Sequence, residues 1–216
     1  MRVRPEALHR FPGGLLAAAI VMAGCAREVP VPVACVSPRL VPSALMVGDG
    51  ALDRGFPGGV SLVDVDGDGD LDLMATRGYS PAVSPITAWD RSMLYLNDGT
   101  GRFTHDLDSP LSNADNPDSG STWGDVDRDG DPDAFVNTQH GRPDLFYRNL
   151  GGGRFAREDL GDATSTPGSN FSSSWVDIDG DGDLDLFVGG PTLELGQPNL
   201  VYRNDDGAFV RVTGLP

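Results

Sequence analysis

Hydrophobic positions in this chain come in runs of four or five, and the runs are separated by acidic or glycine-rich turns. Val60-Ser61-Leu62-Val63, Ser121-Thr122-Trp123-Gly124 and Ser173-Ser174-Trp175-Val176 are matching runs, each followed by an acidic stretch and then a second apolar run, Leu71-Asp72-Leu73-Met74-Ala75 in the first case. Runs this short, bounded by turn residues, predict strands. A third strand is expected at a shared Tyr-x-Asn, in Tyr95-Leu96-Asn97, Tyr147-Arg148-Asn149 and Tyr202-Arg203-Asn204, and a Gly-rich turn leads to an aromatic fourth at Phe103, Phe155 and Phe209. The acidic stretches are 61 and 52 residues apart and the tyrosines 52 and 55. Four short strands repeated at that period make the blade of a β-propeller. The expectation is therefore an all-β fold with three blades, about 55–107, 117–160 and 168–216. Known propellers have about four blades or more, so these three are expected to form an open, partial propeller.

The acidic stretches carry the candidate chemistry. They are Asp64-Val65-Asp66-Gly67-Asp68-Gly69-Asp70-Leu71-Asp72, Asp125-Val126-Asp127-Arg128-Asp129-Gly130-Asp131-Pro132-Asp133 and Asp177-Ile178-Asp179-Gly180-Asp181-Gly182-Asp183-Leu184-Asp185, with Asp at positions 1, 3, 5, 7 and 9 throughout. Carboxylates at 1, 3 and 5 with Gly at 6 form the front half of a calcium loop of hard oxygen ligands, and position 7 offers its backbone carbonyl. An EF-hand closes its shell with a bidentate Glu at 12, but position 12 here is Ala75, Val136 or Val188, which leaves the closing role to the carboxylate at 9. Fifteen of the 32 acidic residues sit in these loops. Carboxylates about 4 Å apart repel by roughly 4 kcal/mol per pair at an effective dielectric near 20, so a cation is expected, about three in all. Magnesium demands a tighter octahedron and keeps its waters, so the expected ion is Ca2+. A solvated acidic surface that binds nothing is the competing reading.

Composition changes the picture mainly through charge. A formal net charge of −16 supplies no basic footprint for nucleic acid or an anionic membrane surface. Residues 1–24 read as an export signal, with Arg2, Arg4 and Arg10 before the apolar stretch Leu15 to Gly24, too short to span a membrane. Residues 25–54 begin with a Pro- and Val-rich run that suits an extended tether, and Cys35 is the only cysteine besides Cys25. The two could pair, or Cys35 could stand as a lone thiol or pair between molecules. Between Thr76 and Ser92 the first repeat carries an insertion with Tyr79 and Trp89, a ligand-face candidate or a tolerated loop.

Two resemblances follow from these residues. Val21-Met22-Ala23-Gly24-Cys25 resembles a bacterial lipobox, which implies lipidation of Cys25 and, with Ala26 next, a place at the outer membrane or cell surface. Cleavage by ordinary signal peptidase, giving a secreted or periplasmic protein, is the alternative. The pattern DxDGDGDLDL, preceded by Ser/Thr-Trp and followed by LYRN-like and GxF segments, resembles the FG-GAP/VCBS repeat of integrin α-chain propellers and of bacterial and cartilage-acidic-protein-like chains that often carry an ASPIC/UnbV domain. It implies calcium held in each blade's first loop by Asp64, Asp66, Asp68 and Asp72 and their equivalents in the other copies, with Arg128 and Pro132 of copy two departing from the pattern.

The function expected from this is a calcium-binding, surface-anchored module that adheres to a protein or glycan and is not an enzyme. Similar propellers occur in polysaccharide lyases and phospholipases, but His105 and His140 have no recognisable nucleophile and base beside them. A fragment or accessory propeller of a larger protein is the remaining reading. Uncovered outer blade faces are expected near Leu62 and near Leu186, Phe187 and Val188, with a second copy or a partner chain as the group that completes them.

Overall fold

The computed structural model describes residues 56–78, 91–112, 118–190 and 199–213. The export signal, Cys25, Cys35, the tether, and Tyr79 and Trp89 of the insertion lie outside the described residues.

Three four-stranded antiparallel sheets account for most of what is described. The first blade is β1 (Phe56–Val63), β2 (Asp72–Gly78), β3 (Met93–Asn97) and β4 (Phe103–His105) in that order. The second is β5 (Asp118–Gly124) and β6 (Asp133–Thr138), then β8 (Leu145–Asn149) and β9 (Phe155–Glu158). The third is β11 (Ser172–Val176), β12 (Asp185–Gly189), β13 (Leu200–Asp205) and β14 (Ala208–Arg211). Each acidic nonapeptide joins the first two strands of its blade, and each Tyr-x-Asn lies on the third. Two small elements had no counterpart in the sequence reading. They are a two-residue tie between β7 (Arg142–Pro143) and β10 (Pro167–Gly168), and the one-turn helix α1 (Asp162–Ser165). Both lie in connections, where no apolar period marks them.

The sheets stack face to face through strand alternation. Met74, Leu94 and Leu96 of the first blade meet Ala134, Val136, Leu145 and Tyr147 of the second. On the second blade's other face, Phe135 and Phe146 meet Leu186, Val188, Tyr202 and Phe209 of the third. Trp175 joins this second seam edge-on to Phe135, Phe146 and Phe209, at centroid distances of 6.0, 6.2 and 5.9 Å. Such pairs add about 0.5–1.5 kcal/mol each beyond the area they bury. The first strands of neighbouring blades run close together. A Cβ on Gly59 would lie 3.2 Å from the Gly120 Cα, and one on Gly120 3.1 Å from the Phe171 carbonyl oxygen. The Ser61 and Ser121 hydroxyls bridge the same seam at 3.0 Å.

The arrangement is open, as the three-blade count implies. The outer faces differ from expectation in detail. Leu186 and Val188 are fully buried because alternation along β12 turns them toward the second blade, and Phe187 between them is exposed on the far face with Val210. On the first blade Leu62 is exposed, but Leu73, paired opposite it, is buried with Met93 and Tyr95 in a third cluster beside Phe103.

Candidate metal centres

Each nonapeptide is closed by its own carboxylates accepting backbone N–H groups. In the first loop Asp64 accepts from Gly67 at 2.8 Å and from Gly69 at 3.0 Å. In the third, Asp177 accepts from Gly180 at 2.7 Å and from Gly182 at 3.1 Å. Gly67 and Gly69 have φ of 77° and 94°, a left-handed conformation that explains why glycine recurs at positions 4 and 6. The second loop has Arg128 at position 4 with φ of 64°. There Asp125 keeps the bond from Gly130 at 3.1 Å, while its Oδ1 is buried with no hydrogen-bond partner. The carboxylates at position 5 accept the N–H two residues on, Asp68 from Asp70, Asp129 from Asp131 and Asp181 from Asp183, each at 2.9 Å.

Position 9 has a structural task beside any ligand role. Asp72 accepts the Val65 N–H at 2.9 Å and the Asn97 N–H at 2.8 Å. Asp133 does the same with Val126 at 3.1 Å and Asn149 at 2.8 Å, and Asp185 with Ile178 at 2.7 Å and Asn204 at 2.8 Å. All three carboxylates are completely buried. Each thus ties the loop to the third strand of its blade. Burial raises the Asp72 carboxyl above its usual range and pushes Asp133 up to about 6, against the opposing pull of the two N–H bonds and of Arg148. The Asn of Tyr-x-Asn returns the tie, from the Nδ2 of Asn97 to the Leu71 carbonyl at 3.1 Å, of Asn149 to Pro132 at 3.3 Å and of Asn204 to Leu184 at 3.2 Å. The tie made by these asparagines was not among the expectations from sequence. Their recurrence in all three copies, in step with the Asp at 9, was the available signal.

The position 7 side chains turn away from the loop centres toward the turn between the third and fourth strands. A Cβ on Gly99 would collide with the Asp70 carboxylate, and one on Gly151 would lie 3.3 Å from that of Asp131. Asp183 accepts the Asp206 N–H at 3.1 Å and pairs with Arg128 of the second blade's loop.

Three carboxylates converge in each loop, with one oxygen from each lying within 4.8 Å of the others. The sets are Asp64, Asp66 and Asp72 in the first loop and Asp177, Asp179 and Asp185 in the third. Calcium–oxygen bonds of about 2.3–2.6 Å put opposed ligands about 5 Å apart, so these hard-oxygen sets fit a calcium ion. Asp68, Asp181, Asp70 and Asp183 stand outside the convergent sets. The second loop brings together Asp125, Asp127 and Asp129 instead, and its Asp133 is held by the Arg148 guanidinium at 2.7 Å. That loop therefore does not offer the set formed by the other two.

At the opposite ends of the strands lies a polar cluster that nothing in the sequence pattern marked. Asp118, paired across the hairpin with Thr138, accepts the Ser92 hydroxyl at 2.5 Å. Asp144 accepts from the Thr138 N–H at 2.8 Å and from the Asn170 amide at 2.7 Å. Burial pushes Asp118 up to about 7 and Asp144 up to about 6; the charge of Asp144 adds to the rise at Asp118 and the Ser92 bond opposes it. Of the two histidines considered as catalytic candidates, His105 stacks on Tyr95 with centroids 4.8 Å apart, and His140 sits in the turn before β7 with φ of 61°.

Fold and loops together define a class, an open propeller fan whose hairpins carry acidic loops. The FG-GAP-like repeat family matches residues 64–136 and 125–188, more than half of the 216-residue chain, and the chain belongs to that family. Each match runs from the first Asp of one loop into the strand that follows the next loop. Among solved structures, the chain is similar to a lectin of Agrocybe aegerita described as recognising non-reducing terminal N-acetylglucosamine. The identity is 20%, the TM-score 0.40, and the match covers 70% of this chain and 36% of that one, so the chain spans about a third of that protein's length. No curated protein matches the chain. Among the described residues no helix is long and apolar enough to cross a membrane.

Proposed function

We infer that the chain is a calcium-stabilised propeller module, carried at the cell surface by a lipid on Cys25, that binds a protein or glycan and performs no chemistry itself. The observation that carries the calcium part is the convergence of Asp64, Asp66 and Asp72, and of Asp177, Asp179 and Asp185, in loops whose backbones are already tied by their own carboxylates. Preorganised oxygens lower the cost of assembling the shell, and an ion that binds only the folded state stabilises it by mass action. Membership of the FG-GAP-like repeat family supports the module reading.

The test is a calorimetric calcium titration of the purified chain, followed by thermal unfolding in chelator and in millimolar calcium. Calcium is expected to bind and to raise the melting temperature by about 5 °C or more, as a ligand at about 100 times its Kd adds about 2.7 kcal/mol. An unchanged melting temperature would sink the reading. A glycan and matrix-protein binding screen in both metal states then addresses the ligand, and mass spectrometry of the mature amino terminus addresses Cys25.

A further inference from the structure

We propose that the second blade carries its own cation: Arg148 occupies the acidic loop of that blade in the role calcium takes in the first and third, so the molecule binds two calcium ions and its middle blade is metal-independent. The count of two rests on the calcium reading above, whereas the arginine clamp does not.

The geometry is specific to this blade. Arg148 Nη1 lies 2.7 Å from Asp133 Oδ2 and 3.3 Å from Asp127 Oδ2, at positions 9 and 3 of the loop. Those are two of the three positions whose carboxylates converge in loops one and three. Its Nε reaches Glu158 at 3.3 Å, and its guanidinium lies 5.0 Å from the Phe146 ring centroid. Aromatic support and three carboxylates fix the group in place. A calcium ion bonded to the same two carboxylates would sit within a few ångströms of the guanidinium, and the two cations would repel. Arg128 adds a further positive charge at position 4 of this loop, paired with Asp183 of the third.

The equivalent residues show why only this loop is filled. The first blade has Leu96 at this position, apolar and packed in the seam with the second blade. The third has Arg203, but Asp205 holds that guanidinium through two bonds of 2.8 and 2.6 Å, and the nearest loop carboxylate, Asp179, is 3.9 Å away. Where the third blade has Asp205 the second has Leu150, so Arg148 has no such competitor and turns into the loop. The side chain of Arg203 is accordingly 49% exposed and that of Arg148 15%. Asp125, Asp127 and Asp129 still converge, and Asp125 Oδ1 has no partner, so removing the arginine is enough to open the site.

The experiment compares the full chain with Arg148→Leu, which copies the first blade, and with Leu150→Asp, which offers Arg148 the partner that Arg203 has. Leu150 is exposed, so the second variant keeps the assay alive if the first fails to fold. Calorimetry is expected to count two calcium ions in the parent and three in either variant. Amide hydrogen exchange gives a readout without calcium. In chelator, Arg148→Leu or Leu150→Asp should speed exchange of Val126 and Asn149, whose N–H groups bond to Asp133, by about tenfold, and leave Val65 and Ile178 unchanged. In the parent, added calcium should slow exchange at Val65 and Ile178 and leave Val126 as it was. Three ions in the parent, or unchanged exchange at Val126 in both variants in chelator, would overturn the proposal. If calcium slows exchange nowhere while the variants still release Val126, the calcium reading fails and the arginine clamp stands.

Discussion

The two ends of the blade hairpins are both rich in carboxylates and treat them in opposite ways. At the loop end most carboxylates are exposed or half-buried, three converge in each loop, and their partners are backbone N–H groups and, in places, an arginine, which suits a cation. At the other end Asp118 and Asp144 are buried among neutral partners, Ser92, Thr138 and Asn170, and their affinity for protons rises, a rise that burial also gives the buried Asp72 and Asp133 of the loops. The difference teaches that an acidic residue in this fold is neutralised by whatever its surroundings can supply. Where water reaches, the carboxylates lie open to a cation or meet an arginine, and where burial excludes it, their affinity for protons rises.

The largest expected effect tests where the loop end stops being loop-like. Asp72→Ala leaves the Val65 and Asn97 N–H groups without their partner in a buried site. Unfolding in urea should show a loss of about 3 kcal/mol, in chelator as well as in calcium, since each orphaned buried donor costs about 1–3 kcal/mol. A loss seen only with calcium present would make Asp72 a ligand alone and erase the distinction between position 9 and the rest of the loop.

Next in size is the effect of pH on the far end. The folded Asp118 carboxyl titrates at about 7, above its ordinary value of 3.8, so the unfolded chain ionises first. Its contribution to stability is greatest below about pH 4 and is lost as pH rises toward 7. In chelator, the urea midpoint should fall between pH 5 and pH 8, and Asp118→Asn, which keeps an acceptor for Ser92, should flatten that fall. An identical slope in both proteins would show that the far end holds ionised carboxylates after all. The smallest effect is that of Asp66→Asn, expected to change stability by no more than about 0.5 kcal/mol in chelator and to abolish the first loop's share of any calcium stabilisation. A large loss in chelator would give this half-buried carboxylate the structural weight reserved here for position 9.

Much of this organisation was legible because it repeats. Three copies of a strand, an acidic loop, a Tyr-x-Asn and a late Phe are enough to place twelve strands, since each copy corroborates the others. Which face a residue occupies was less legible, as Leu186 and Val188 show, because a one-residue step along a strand reverses the answer and only pairing fixes it. Contacts that occur once were not legible at all. Asp118 meets Ser92, and Asp144 meets Asn170, across 26 residues in each case, through connections with no counterpart in the other blades. The clamp by Arg148 falls between these cases: the residue sits at a repeated position, but its direction depends on Leu150 standing where the third blade has Asp205.

Another bond gives the molecule a direction. The Asn149 side chain of the second blade donates to the Val65 carbonyl of the first at 2.8 Å, and a Cβ on Gly153 of the same turn would lie 3.3 Å from the Asp66 Cβ. The second residue of the first and second loops is roofed by the blade that follows, so Val65 is 0% and Val126 8% exposed against 52% for Ile178 of the third. During synthesis the chain emerges in that same order. The first two loops are therefore left unroofed until the ribosome has delivered one more blade, and ion capture by the first hairpin would lag its translation by about fifty residues, the length of one repeat.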